Sequence, residues 1–139
     1  MIMGAVGKYG PNACREKGSP VQVTNIFADL TVPDMGAARE FYVDYLGLSV
    51  GELDMDWVAR FQSPDGKAAV QLVTRDATAP TNAVISATVG DDVEEAYEEA
   101  KRRGYEIVYP LTTEPWGIRR FFVRAPDGNV INVNSHKDR

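Results

Sequence analysis

The 139-residue sequence predicts an α+β fold made of two tandem βαβββ modules. Three observations carry that reading. One turn is written twice: Phe61-Gln62-Ser63-Pro64-Asp65-Gly66-Lys67 returns as Val123-Arg124-Ala125-Pro126-Asp127-Gly128-Asn129. One helix opening is written twice, as Val32-Pro33-Asp34-Met35 and as Val89-Gly90-Asp91-Asp92-Val93. Between these landmarks the apolar period changes from two residues to about 3.6 and back again, the signature of strands alternating with helices. Residues 21–76 then form the first module, residues 77–139 the second, and residues 1–20 a glycine-rich leader.

Each element has its own warrant. Residues 23–32 alternate, with Ala28, Leu30 and Val32 on one side and Phe27, Asp29 and Thr31 on the other, as a half-buried strand requires. Asp34 is placed to cap a helix whose stripe is Met35, Ala38, Phe41, Tyr42, Tyr45 and Leu46, stopped by Gly47. Strands are expected near 48–53, 56–62 and 67–74, and residues 75–82 read as a polar linker. In the second half Ala83, Ile85, Ala87 and Val89 fall on one face and Val84, Ser86 and Thr88 on the other. Asp92 and Glu95 have capping-box spacing, and Lys101, Arg102 and Arg103 close the helix before Gly104. Strands near 105–109, 118–124 and 129–134 complete the module.

Composition narrows the function. Apolar residues make up 44% and charged residues 25%, the balance of a globular domain, with a net charge of −5. No basic stripe exists to neutralise phosphates, so nucleic acid is excluded as a partner. No run of about 18 apolar residues and no secretory h-region is present, which predicts no membrane association and a cytoplasmic location. The one cysteine, Cys14, forbids an intramolecular disulfide and a multi-cysteine metal site; the one histidine, His136, forbids a histidine pair.

The ordered words Val32-Pro33-Asp34-Met35, Phe41-Tyr42, Leu46-Gly47, Asp91-Asp92-Val93, Gly104, Pro115-Trp116-Gly117 and Ala125-Pro126-Asp127-Gly128-Asn129 resemble the vicinal oxygen chelate superfamily of glyoxalases, bleomycin-resistance proteins and extradiol dioxygenases. The resemblance spans residues 23–136. It implies curved mixed sheets that form a cleft, with the helices packed outside. It also assigns faces: Ala28, Leu30, Val32, Val70, Leu72, Ile85, Ala87, Val89, Ile131 and Val133 toward the helices. Phe27, Asp29, Thr31, Gln71, Val84, Ser86, Thr88, Asn132 and Asn134 fall toward the cleft. A solvent-facing sheet would alternate in the same way.

Metal-dependent relatives draw ligands from the first and last strands of each module. Those positions here are Phe27, Gln71, Val84 and Asn132. Two hydrocarbons and two neutral amides do not supply the charged or imidazole donors of a divalent site, so no metal and no cofactor is expected. The resemblance then points to the metal-free, bleomycin-resistance-like branch, whose members sequester drugs as dimers. The expected ligand site has Phe27, Trp57, Val84 and Trp116 as walls and Asp29, Gln71, Ser86 and Asn132 as polar contacts. Glu52, Asp54, Asp56 and Glu114 flank the tryptophans as an acidic rim suited to an aromatic or cationic compound. Two alternatives stay open. One is a glyoxalase-like lyase or isomerase that uses Asp29 or His136 as a base without a metal; the other is a structural dimer with a vestigial cleft. Asp29 reads equally as a sheet residue paired with Arg60, Arg119, Arg120 or Arg124, and Trp116 as a loop-packing residue. Exposed sheet edges predict a homodimer.

Overall fold

A single mixed sheet organises the molecule. The computed structural model describes residues 18–136; the leader up to residue 17, with Cys14, lies outside them. The elements run β1 (Asn25–Thr31), α1 (Met35–Arg39), β2 (Ser49–Asp54), β3 (Val58–Gln62), β4 (Ala69–Val73), β5 (Ile85–Thr88), α2 (Val93–Arg102), β6 (Glu106–Thr113), β7 (Ile118–Arg124) and β8 (Val130–His136). The strands form one curved, unclosed eight-stranded sheet in the order β2-β3-β4-β1-β5-β8-β7-β6. β1 runs parallel to β4, β5 runs parallel to β8, and the two halves meet where β1 and β5 pair antiparallel, Phe27 opposite Ser86.

The two Pro-Asp-Gly turns are built alike. In each, a positive-φ glycine (Gly66 at 74°, Gly128 at 93°) occupies the position that a side chain would strain. Asp65 accepts from the Lys67 amide at 3.0 Å, and Asp127 accepts from the Asn129 amide at 2.9 Å. The first turn closes from Ser63 to Ala68 and the second from Ala125 to Asn129, so the first holds one extra residue. That residue is absorbed before β4 begins, and Gln71 and Asn132 reach the same face.

The helices cover the other face, but unequally. Asp34 caps α1 by accepting from the Gly36 amide at 3.0 Å. Beyond Arg39 the helix widens to π-type turns over Glu40–Tyr45, with the Leu46 amide bonding to the Phe41 carbonyl at 3.0 Å. This helix packs on Ala59, Phe61 and Leu72, while α2 packs on Val89, Phe121 and Val133. The expected cap at Asp92 makes no side-chain hydrogen bond; α2 is held at its far end instead, where Glu99 accepts from Arg102 and Arg103 at 2.7 Å each. The helix-facing assignment also fails along β1. Ile26, Ala28 and Leu30 are exposed, because the seam strand runs between the two helix-covered regions and neither helix reaches it.

The predicted polar linker, residues 75–82, is pinned to the sheet at Asp76 and Ala79, which are buried. Asp76 accepts from the amides of Thr78 and Ala79 and receives a two-pronged bond from Arg120 of β7 at 2.7 and 2.9 Å. Glu114 accepts from Arg120 at 2.8 Å, from Tyr109 at 2.9 Å and from Thr78 at 3.0 Å. Exposure of the Arg120, Asp76 and Glu114 side chains is 5, 6 and 2%. Removing one member of such a set strands the others as buried charges. Arg120→Met is expected to lower the unfolding free energy by about 3–5 kcal/mol. Urea denaturation checks this, and a loss near that of a surface substitution would reject the anchoring role.

Candidate functional site

Opposite the helices, alternation places a consistent set of side chains on one face. Phe27 and Asp29 come from β1, Arg60 from β3, Gln71 and Val73 from β4, Ser86 from β5, Arg120 and Phe122 from β7, and Asn132 and Asn134 from β8; all line one cavity with Trp57 and Trp116. Seven of the eight sequence-predicted residues are thereby brought together: Phe27, Asp29, Trp57, Gln71, Ser86, Trp116 and Asn132. Val84 stands apart. It is 41% exposed, and Ala83 lines the cavity instead, because regular β5 structure begins only at Ile85.

The polar residues form a chain of hydrogen bonds across the seam. Ser86 Oγ donates to Asp29 Oδ2 at 2.6 Å and accepts from Asn132 Nδ2 at 3.0 Å. Gln71 Nε2 donates to the other Asp29 oxygen at 3.1 Å, and Gln71 Oε1 accepts from Arg60 Nη2 at 3.4 Å. Two buried atoms in this set have no partner among the described residues: Arg60 Nε and Asn132 Oδ1. Among the described residues Asp29 forms no ion pair, contrary to the salt-bridge alternative, although the Arg60 charge is near enough to be felt. Arg119, Arg120 and Arg124 are each committed elsewhere, to Glu94, to Asp76 with Glu114, and to Glu106. Burial pushes the Asp29 carboxyl up from 3.8 to about 6, against the lowering influence of Ser86, Arg60 and Gln71. Asp76 shows the opposite outcome: burial raises it, but Arg120 and the two loop amides outweigh that and hold it below the usual range.

Aromatic groups close one end. The Trp57 and Trp116 rings meet edge to face with centroids 5.3 Å apart, and Arg120 lies 5.4 Å from the Trp116 ring. Arg60 lies over Phe27 at 4.3 Å. With the indoles in contact the cavity measures about 40 Å³, room for roughly three waters. The acidic rim is weaker than the sequence implied. Glu114 is buried against Arg120, and Asp54 is paired with Arg39, which leaves Glu52 and Asp56 exposed.

The donors here do not match a divalent site. Asp29 is the one carboxylate in the seam network, Gln71 and Asn132 are neutral amides already engaged, and Arg60 adds a cation. Among the described residues no group of three or more His, Cys, Asp or Glu side chains is placed to hold a metal. His136 lies at the end of β8, outside this cavity, in a neighbouring polar hollow that shares Arg60 with it. Arg60 and Arg120 are the cleft residues that sequence reasoning treated only as ion-pair partners. The alternation Val58-Ala59-Arg60-Phe61, with Phe61 fully buried under α1, was the signal that could have placed Arg60 on the cleft side.

The architecture and this cleft define a small α+β domain with a concave face lined by aromatic and polar side chains. The family model for the Glyoxalase/Bleomycin resistance protein/Dioxygenase superfamily matches residues 22–133, and the chain belongs to that superfamily. Among solved structures, it is similar to methylmalonyl-CoA epimerase from Mycobacterium tuberculosis, with a TM-score of 0.63 and 21% identity over 85% of this chain and 91% of that one. A superfamily member from Vibrio splendidus 12B01 gives 0.60 and 19% over 80% and 97%. An NAD-dependent benzaldehyde dehydrogenase from Legionella pneumophila gives 0.65 and 17% over 81% and 100%. At these identities the likeness establishes the fold alone. No curated protein matches the chain. Among the described residues no helix is long and apolar enough to cross a membrane.

The raised Asp29 carboxyl has a consequence for folding. The folded protein holds its proton up to about pH 6, whereas an unfolded aspartate releases it near 3.8. The stabilisation from this group is therefore complete below pH 3.8 and is lost as pH rises through about 6. The difference corresponds to about 3 kcal/mol. Unfolding free energies measured across that window should fall for the wild type and stay flatter for Asp29→Asn; parallel profiles would refute the assignment.

Proposed function

We propose that this protein is a metal-free small-molecule-binding member of the superfamily, of the bleomycin-resistance-like kind. Its ligand would be a planar aromatic compound lying against Phe27, Trp57 and Trp116. Asp29, Gln71, Ser86 and Asn132 supply the polar contacts. The observation that carries this reading is the convergence of three aromatic side chains on a seam network whose one carboxylate is desolvated and forms no ion pair. Ligand sites commonly combine apolar walls with a few oriented polar groups in this way. The donor chemistry supports metal independence, since engaged amides beside a guanidinium disfavour a doubly charged ion. A cationic ligand draws less support, because half of the expected acidic rim is already paired.

The same reading takes the two halves as copies of one βαβββ unit and the protein as a cytoplasmic homodimer. For pairing, the support is the exposed apolar row of Ile26, Ala28 and Leu30 on β1. A second reading, a lyase or isomerase acting without a metal, is favoured by one observation. A carboxyl titrating near pH 6 is suited to exchange protons at neutral pH. Asp29→Asn separates the two: binding with no turnover by the wild type supports sequestration, whereas turnover abolished by the substitution supports catalysis.

Ligand entry requires the indoles to part, since a typical site holds about 300–1,000 Å³. The chain has two tryptophans, both at this cleft, so tryptophan emission excited selectively over its six tyrosines reports on the site. A screen of planar aromatic compounds should yield hits that change tryptophan emission and raise thermal stability. A hundredfold excess over Kd corresponds to about 2.7 kcal/mol. Trp57→Ala should weaken such hits by more than about tenfold. Stabilisation by Zn, Ni, Mn or Fe alone, reversed by a chelator, would overturn the metal-free reading.

A further inference from the structure

We propose that the ligand of this cleft is an organic monocarboxylate whose anionic group is received by Arg60. The proposal deepens the reading of the cleft as a binding site and rests on it. Six described arginines (Arg39, Arg102, Arg103, Arg119, Arg120 and Arg124) are each ion-paired with Asp or Glu. Arg60 forms no ion pair among the described residues, although it lines the cavity. Its one side-chain hydrogen bond is the long 3.4 Å contact from Nη2 to Gln71, and its buried Nε–H has no partner. A guanidinium presents its donors as a planar fork, and a carboxylate accepts two of them in parallel. Arg60 therefore offers an anchored, incompletely used fork.

Its surroundings hold the fork in place without neutralising it. The Phe27 face, 4.3 Å away, supports the guanidinium from the apolar side. Gln71 stands between the two charges, accepting from Arg60 and donating to Asp29, so that acid and base do not collapse onto each other. Burial lowers the Arg60 pKa, and Asp29 and Glu52 offset this only in part, so the cation is under-compensated.

The position of Arg60 also provides a route. It lines both the aromatic cavity and a polar hollow of about 420 Å³, where Thr24, Asn25 and Thr88 offer neutral hydrogen-bonding groups. A carboxylate on Arg60 can thus direct an attached ring toward Phe27 while its polar end stays at the hollow. One guanidinium balances one negative charge. Arg60 and the His136 imidazole are the basic groups lining the hollow, and Asp91 opposes them there while Asp29 lies behind Gln71, so a monocarboxylate suits the wall better than a phosphate dianion.

The test uses benzoate, phenylacetate and indole-acetate, each beside its neutral primary amide, with the full-length protein. The arginine Nε–H resonance of Arg60 is followed by NMR and assigned by its loss in Arg60→Gln. At least one carboxylate should shift it saturably while the matching amide does not. Arg60→Gln should weaken that carboxylate by more than about tenfold, and Arg60→Lys, which keeps charge without the fork, should recover only part of the loss. An amide that binds as well as its acid, or a carboxylate indifferent to Arg60→Gln, would overturn the anion subsite while leaving the cleft as a binding site through its tryptophan signal. If no compound perturbs either Arg60 or the tryptophans, both readings fall. Arg60→Lys keeps the test valid should Arg60→Gln not fold.

Discussion

The bond from Ser86 to Asp29 crosses the seam between β1 and β5, the pairing that turns two four-stranded sheets into one. Counting back three residues from Val32 and from Val89, the two landmarks of the repeated helix opening, arrives at Asp29 and Ser86 respectively. Asp29 and Ser86 are diagonal neighbours across the join, one bringing an acceptor and the other a donor. The antiparallel register sets Phe27 against Ser86, and the Asp29 amide donates to the Val84 carbonyl at 2.8 Å. Every cleft residue is arranged around this join. The same join removes Asp29 from water, and that desolvation drives its carboxyl upward.

Arginine is handled in two ways on the two sides of the seam. In the second half Arg120 is fully engaged by Asp76 and Glu114, and three rings surround it: Trp116, Phe122 and Tyr109. That set ties the 75–82 segment to β7 and fixes the second half of the cleft wall. In the first half Arg60 rests on Phe27 and leans on an amide oxygen, with no carboxylate to hold it. Buried polar groups left without partners are rare in folded proteins, and each one calls for an explanation. One arginine is structural because its charges are answered within the chain. The other is available because they are not.

Period-two alternation was enough to divide the strands correctly wherever helices cover one side. Val70 and Leu72 go under α1, Gln71 goes to the cleft, and the same holds for Val133 and Asn132 under α2. It failed where a property of the whole sheet intervenes. Along β1 both helices stop short, so Ile26 and Leu30 are exposed although their pattern matches that of buried residues. At Val84 the strand has not yet become regular, and the expected face is lost. The partners of Arg120 were invisible for a different reason. Asp76 and Glu114 are 44 and 6 residues away, and nothing in local spacing distinguishes a carboxylate that will be buried and paired from one that will line a rim.

The chemistry of the network follows from what stands in each position. An imidazole or carboxylate at Phe27 or Gln71 would place a strong ligand near Asp29 and invite a cation. The chain instead sets a ring and an amide there, and Arg60 occupies the space over the ring. An amide can do what a metal ligand cannot: it accepts from a cation with one end and donates to an anion with the other. Gln71 uses both ends, and Ser86 likewise donates to Asp29 and accepts from Asn132. The result is two short runs of donors, Arg60 to Gln71 and Asn132 to Ser86, that converge from opposite sides on the single ionisable carboxyl of Asp29. A ligand that changes the charge at the Arg60 end alters the field felt by Asp29 through one intervening side chain. On the proposed reading of the cleft, anion binding at Arg60 and protonation of Asp29 would be coupled by that short path.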